Sequence, residues 1–419
     1  MSIKGIAKTA YESYPLQFFV RHIYLILWVA TALCVGVVFV FDPYHTAHSL
    51  IVGDLTFGGD YRTYYTGGLD IMKGGAHLYD RHLWSPLFNS YIGGFVYPPL
   101  MALYFVPFSL LPFALSYIIH SILSIGLLIA SCVLLSRLLT SPKLFCVIAL
   151  PSFFLSPIFV LHLDRGQTDI MVSFLLVAAL YQLHFHRSLS SGFFLGIAAA
   201  LKVTPIIFLA YLLWRDRKAF FVATGTIIAS IVIFPINLYG TFLRELSAFA
   251  SGTSSGHLSN SIQGVFFYQT IPEFFPLLAL ISVFLIVSVV ALFLFLSKPK
   301  HTDPIILLMI SGILVTFMMI APSTAWAYNG VHSLILFAAY WEIRTRKLIS
   351  NGLVFVFDIL AFCALSAPLL LEVVRSSPLR APFVFRPLVF FAFLILFAYV
   401  LLRQKMPLYK KAHHSTTPH

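Results

Sequence analysis

Gly58-Gly59-Asp60-Tyr61-Arg62-Thr63-Tyr64-Tyr65-Thr66-Gly67-Gly68 opens a polar stretch that runs on through Gly74-Gly75-Ala76-His77-Leu78-Tyr79-Asp80 and closes at Tyr97-Pro98-Pro99. Acids, arginines, tyrosines and glycines concentrate here, and the sequence on both sides is apolar. A polar segment between hydrophobic runs is read as a loop outside a membrane, joining the helices that cross it.

The surrounding composition supports that reading. The chain has 419 residues, of which 59% are hydrophobic and 10% charged, whereas soluble domains carry roughly 25% charged residues. The expected class is an all-α polytopic membrane protein forming one integral domain over residues 1–419. A net charge of +12 gathers in short loops and near the chain ends. That pattern suits the bilayer and its anionic headgroups, not nucleic acid. Cys34, Cys132, Cys146 and Cys363 lie in apolar runs without CxxC spacing and are read as membrane thiols. The histidines show no paired ligand spacing, so no metal and no cofactor are expected.

Working outward, apolar runs of about 20 residues place spans near 23–41, 98–112, 114–136, 143–161, 168–184, 192–213, 219–238, 275–297, 304–321, 327–343, 351–371 and 384–402, about twelve in all. The first run follows Lys4, Lys8 and Arg21 and is too long for a signal-peptide core, so it reads as an uncleaved span. Loops 43–96 and 239–274 then fall on one side. Arg215 to Lys218, Lys298 to Lys300, Arg344 to Lys347 and a tail from 406 to 419, expected to be disordered, fall on the cytoplasmic side. Strict alternation puts Arg137, Lys143, His184, His186 and Arg187 on the outer side, against the positive-inside rule. Broken or re-entrant segments between 143 and 213, at Pro151, Pro157 or Pro205, would account for that.

Asp60 is the leading candidate for chemistry. A partly desolvated carboxylate at a membrane boundary is suited to take a proton from a hydroxyl; the plainer reading is a helix cap. Asp54, Asp70 and Asp80 are rivals in the same loop. Tyr61, Tyr64 and Tyr65 would supply a wall for a polar ligand, with Arg62 beside them. Asp164-Arg165-Gly166-Gln167-Thr168-Asp169 is a polar cluster between apolar runs, and Gln167 and Asp169 stand at the mouth of the next helix. Lys202 reads as a lone cation inside an apolar helix, suited to a phosphate or to a buried acid. Asn260 and Gln263 close the second outer loop. Trp326, Tyr328, Asn329 and His332 sit at a later outer junction. Turns, caps and interface anchors explain the same residue types.

Taken in order, Asp60-Tyr61 with Tyr64 and Leu78-Tyr79, Tyr97-Pro98-Pro99, Gly166-Gln167, Lys202 with Pro205, Asn260-Ser261, and Pro322-Ser323 with Trp326 resemble glycosyltransferase family 87 over roughly residues 55–335. The family includes polyprenol-phosphate-mannose-dependent mannosyltransferases. The resemblance implies a GT-C fold with a catalytic first outer loop and Asp60 as the base. It also implies a polyprenyl-phosphate sugar donor, a lipid-linked or glycan acceptor, and a site facing away from the cytoplasm, in a bacterial inner membrane toward the periplasm. With one carboxylate opposite the leaving group, transfer of a hexose such as mannose is expected to invert. Two departures stand out. Asp169 occupies a position where the family commonly has Asn, and Tyr328 and Asn329 stand where it often has histidines. The competing classes are a secondary transporter, with Lys202 and Asp169 as coupling groups, and an O-antigen ligase or polymerase that takes a diphosphate-linked donor.

Overall fold

The computed structural model describes residues 59–80, 82–85, 90–154, 156–251, 303–320, 327–374, 389–390, 392–401 and 403. The expected spans at 23–41 and 275–297 lie outside them, as do Asp54, Asn260, Gln263, Trp326 and the tail. Helices dominate. The first outer loop opens with helix α1 (Gly59–Met72), followed by a short antiparallel hairpin of β1 (His82–Ser85) and β2 (Ser90–Gly93) with His82 opposite Gly93. This hairpin is the one departure from an all-α chain among the described residues.

Helix α2 (Pro99–Ser109) begins with Pro at its first turn, where the missing N–H costs nothing. Its 11 residues reach about 16 Å, too short for a hydrocarbon core of about 30 Å. It lies along α1 instead. Tyr64 stacks on Phe105 with centroids 4.9 Å apart, Tyr97 lies 5.0 Å from the Tyr64 ring, and Ser109 donates to the Tyr65 carbonyl at 2.7 Å. Helix α3 (Phe113–Ser136) follows. Among the described residues it is the single unbroken helix long and apolar enough to cross a membrane.

The expected span at 143–161 is two helices, α4 (Pro142–Phe154) and α5 (Pro157–Arg165). Ser156 caps α5 by accepting from the Phe159 N–H, and Pro157 occupies its first turn. Pro151 stays inside α4 and breaks nothing. Helix α6 (Asp169–His184) leads to α7 (Ser188–Leu201). At Lys202 the backbone becomes extended, with φ −144° and ψ 128°, and a 3-10 turn (Thr204–Ile207) containing Pro205 starts α8 (Phe208–Arg215). Lys202 therefore lies at a break and not inside a helix.

The chain turns back at that break. Ser188, the first residue of α7, donates to Asp216, just past α8, at 2.6 Å. Residues 188–216 thus leave one end of the bundle and return to it. Helix α9 (Arg217–Val232) then runs beside α7. The seam is made by Gly192 and Gly196, where a Cβ would strike the backbone oxygens of Ala219 and Ala223, the close approach that small residues permit between buried helices. At Pro235 the chain bends by 107° into α10 (Ile236–Ser251), the other candidate for a span when joined to α9.

Helices α11 (Pro304–Ile320), α12 (Ser333–Thr345), entered through a 3-10 turn (Ala327–His332), and α13 (Asn351–Val374) complete the bundle. Polar contacts tie the loops of one end together. Glu342, without exposed surface, accepts from the Thr140 N–H at 2.9 Å and from Arg346 Nε at 2.6 Å, and Arg346 also donates to Asp303 at 2.9 Å. Arg137 donates to the Tyr181 hydroxyl at 3.5 Å. The opposite end holds α1, the α5–α6 turn, Lys202 and the start of α10, where Tyr79 meets Phe242 with centroids 5.9 Å apart.

This arrangement corrects the alternation expected from the apolar runs. Residues 98–112 form a short helix along α1, and residues 192–213 turn back on themselves, so neither is a single straight helix of spanning length. The loops bearing Arg137, Lys143, His184, His186 and Arg187 consequently join Arg215 to Lys218 and Arg344 to Lys347 at one end, as the positive-inside rule requires. Single cysteines replacing Lys143, Arg187 and Lys218, in a chain freed of its own four, are expected to share one accessibility. A cysteine replacing Asp80 is expected to show the opposite one. An impermeant thiol reagent applied to intact cells reads this out, and labelling of Lys143→Cys together with Asp80→Cys would reverse the assignment.

Candidate active site

Asp60 stands in the first turn of α1, half-buried, and its partner comes from the α5–α6 turn. Gln167 donates from Nε2 to Asp60 Oδ2, and Tyr64 donates its hydroxyl to Gln167 Oε1 at 2.8 Å. That second bond sets which way the amide points, so nitrogen faces the carboxylate. His120 Nε2 donates to the Gln167 carbonyl at 3.2 Å and holds the turn from α3. Tyr117 donates to the Leu163 carbonyl from the same helix. The turn exists because Gly166 is left-handed at φ 63°, a conformation glycine adopts without steric cost. A Cβ there would also lie 2.5 Å from Tyr61 Cβ, so α1 could not approach the turn as it does.

Two residues further on, Asp169 has no exposed surface. Lys202 Nζ reaches its Oδ1 at 2.6 Å, and His332 donates from Nε2 to the same oxygen at 3.1 Å. Ser173, one turn along α6, meets His332 Nδ1 at 2.6 Å. Lys202 also lies 5.7 Å from the centre of the Tyr97 ring. The break after α7 and the 3-10 turn before α12 thus converge on one carboxylate. Lys202 is not a lone cation; an acid 33 residues away neutralises it.

The tyrosines divide. Tyr64 serves the Asp60–Gln167 pair, but Tyr61 and Tyr65 are buried and form no wall around the carboxylate. Tyr61 packs among Phe105, Phe113, Tyr117 and His120 and shares a 2.5 Å hydrogen bond with Ser116, while Tyr65 donates to the Leu111 carbonyl at 2.7 Å. Their physical role is to seat α1, because an edge-on aromatic pair contributes about 0.5–1.5 kcal/mol beyond area burial. Arg62 is buried beside them. Asn329 is half-buried on the 3-10 turn that carries the Tyr328 backbone. Asp70 and Asp80 lie away from the cluster, Asp80 exposed and paired with His77 at 3.0 Å.

Four residues of the cluster were missed as candidates from sequence. Arg165 adjoins the Gly166-Gln167 pair and is the strongest charge influence on Asp60. Ser173 is four residues beyond Asp169, a spacing that shares a helix face. His120 and His162 carry no local signal; His162 is buried within electrostatic reach of Asp169, Lys202 and His332. Burial raises the Asp60 pKa above the ordinary carboxylate value, against the opposing pull of Arg165, the Gln167 hydrogen bond and Lys202, with Asp169 adding to the rise. A carboxylate with a raised pKa is a stronger base than a solvated one, and one of its oxygens is held by Gln167.

The sequence model of glycosyltransferase family 87 matches residues 95–323, more than half of the chain. The match contains the turn with Gln167 and Asp169 and the break at Lys202; Asp60 precedes it and His332 follows it. No curated protein matches the chain.

Removing one member of a buried ion pair leaves the other charge uncompensated, at a cost of about 3–5 kcal/mol. Lys202→Met is therefore expected to destabilise the fold strongly, and Lys202→Met combined with Asp169→Asn to recover most of the loss. Thermal unfolding in detergent measures both. Equal instability of single and double variants would remove the pair from its structural role.

Proposed function

The chain belongs to glycosyltransferase family 87, and from that premise we propose that this membrane glycosyltransferase moves a hexose, mannose being the first candidate, from a polyprenyl-phosphate sugar to a hydroxyl of a lipid-linked or glycan acceptor. The observation that carries the reading is the Asp60–Gln167–Tyr64 chain of hydrogen bonds. It orients one partly exposed carboxylate at the start of α1.

In this mechanism Asp60 takes the proton of the acceptor hydroxyl as its oxygen attacks the anomeric carbon. The bond to the phosphate oxygen breaks on the opposite face. A lipid phosphate is already a good leaving group, so a base and a well-placed cation are the essential needs. Retention by a covalent route would need a second carboxylate near the sugar as nucleophile. Of the two described acids in electrostatic reach of Asp60, Asp169 is buried and held by Lys202 and His332, and Asp164 is paired with Arg165 at 4.0 Å; with both engaged by cations, we favour single displacement with inversion. The positive-inside rule assigns the end carrying Arg137, Arg187, Arg215 and Arg346 to the cytoplasm. The opposite end, with Asp60, then faces the periplasm.

Asp60→Asn is expected to lower transfer from a polyprenyl-phosphate sugar by roughly 100- to 10,000-fold while leaving thermal stability unchanged, because Asn keeps the shape and an oxygen for Gln167. Near-normal turnover in Asp60→Asn would remove the base. The same exchange at Asp70 or Asp80 is expected to be mild. The pH profile supplies a second check. The base must be ionised, and its pKa is raised, so the ascending limb of kcat/KM is expected above the ordinary carboxylate range. Gln167→Leu removes a bond that stabilises the ionised form, which raises the pKa further, so the limb should move to still higher pH. A limb that stays in place would deny Gln167 its contact with the base.

A further inference from the structure

Arg165 and Lys202 act on Asp60 electrostatically and Arg62 lies two residues along α1; the circumstances of the three cations differ. Arg62 is buried in the packing of α1. Lys202 is spent on Asp169 at 2.6 Å. Arg165 has 43% of its side chain exposed, its one ion pair is with the adjacent Asp164 at 4.0 Å, and it makes no hydrogen bond among the described residues. Its guanidinium lies over the start of α1, where a Cβ on Gly59 would stand 3.2 Å from Nη1. Gly59 therefore leaves the room that Arg165 occupies. Gly166, in its left-handed cap, fixes Arg165 and Gln167 on one turn, so the residue that orients Asp60 and the cation beside it move together.

A guanidinium presents five N–H donors in a planar fork that fits phosphate oxygens in pairs. The guanidinium acts on Asp60 electrostatically and is 43% exposed, so its donors are accessible to a ligand beside that carboxylate. We propose that Arg165 receives the leaving phosphate of the lipid donor, an assignment that rests on the glycosyl transfer proposed above. The acceptor oxygen forms its bond to the anomeric carbon and its proton goes to Asp60. The anomeric carbon–oxygen bond breaks with its electron pair passing to the phosphate. A phosphodiester with one negative charge becomes a monoester carrying close to two. The cation therefore gains most as the bond breaks, and kcat depends on it more than KM does.

The test uses the full chain in lipid nanodiscs, with undecaprenyl phosphate and uncharged undecaprenol as probes. Arg165→Gln is expected to lose roughly 10- to 150-fold in affinity for undecaprenyl phosphate and nothing for undecaprenol, with its unfolding temperature kept. Arg165→Lys should recover part of the loss, since it keeps the charge without the fork. In transfer assays, kcat should fall more than KM rises. Undecaprenyl phosphate binding as tightly to Arg165→Gln as to the wild type overturns the assignment of Arg165 alone. A wild type that binds the phosphate no better than the alcohol overturns the assignment together with the donor class.

Discussion

Asp169 is a carboxylate with no exposed surface in a chain made almost wholly of apolar side chains, and it has to be neutralised where it stands. Lys202 does so because α7 stops at Leu201 and the backbone becomes extended, which delivers Nζ to Oδ1 at 2.6 Å. Had α7 run on unbroken, Lys202 would have stayed on the surface of a helix buried against α6 and α9. The break that serves the ion pair also reverses the chain. That reversal brings Ser188 back to Asp216, so the loop bearing Arg187 and the loop bearing Arg215 to Lys218 meet at one end.

The same carboxylate draws in the second half of the molecule. His332 enters from the turn before α12 and donates to Asp169, with Ser173 behind it. One buried acid thus joins the re-entrant hairpin, the start of α6 and the start of α12. Two residues back along the chain, Gln167 holds Asp60 from a turn that Gly166 and the His120 hydrogen bond shape. A buried, partnered charge cluster can specify geometry more than it adds stability, and here it lies two residues from the Gln167 that holds Asp60.

Around Asp60 the energetic balance is different. Burial raises its pKa while Arg165 and Gln167 pull the other way. The carboxylate is left with a raised pKa and anchored at one oxygen by Gln167. The aromatic packing of Tyr61, Tyr65, Phe105, Phe113 and Tyr117 keeps α1 in contact with the turn. Gly166 sets the distance of closest approach.

By itself the sequence determined that the chain is helical and apolar, that the Gly58–Pro99 stretch is its polar centre, and that Asp60, Gln167, Asp169, Lys202 and His332 are the residues to watch. Composition and unusual residue types in apolar runs are local properties, and they can be read locally. Only the tertiary structure decided which of these residues meet. It paired Lys202 with Asp169, turned Tyr61 and Tyr65 away from the carboxylate, and set Arg165 beside Asp60. It also laid residues 98–112 along α1 and turned residues 192–213 back on themselves, although their hydropathy is that of crossing segments. The physical reason is that hydropathy measures the preference for an apolar surrounding, which a helix lying along α1 or a hairpin buried in the bundle satisfies as well as a span does. Direction of travel is decided by distant polar contacts, and those arise only when the chain is folded.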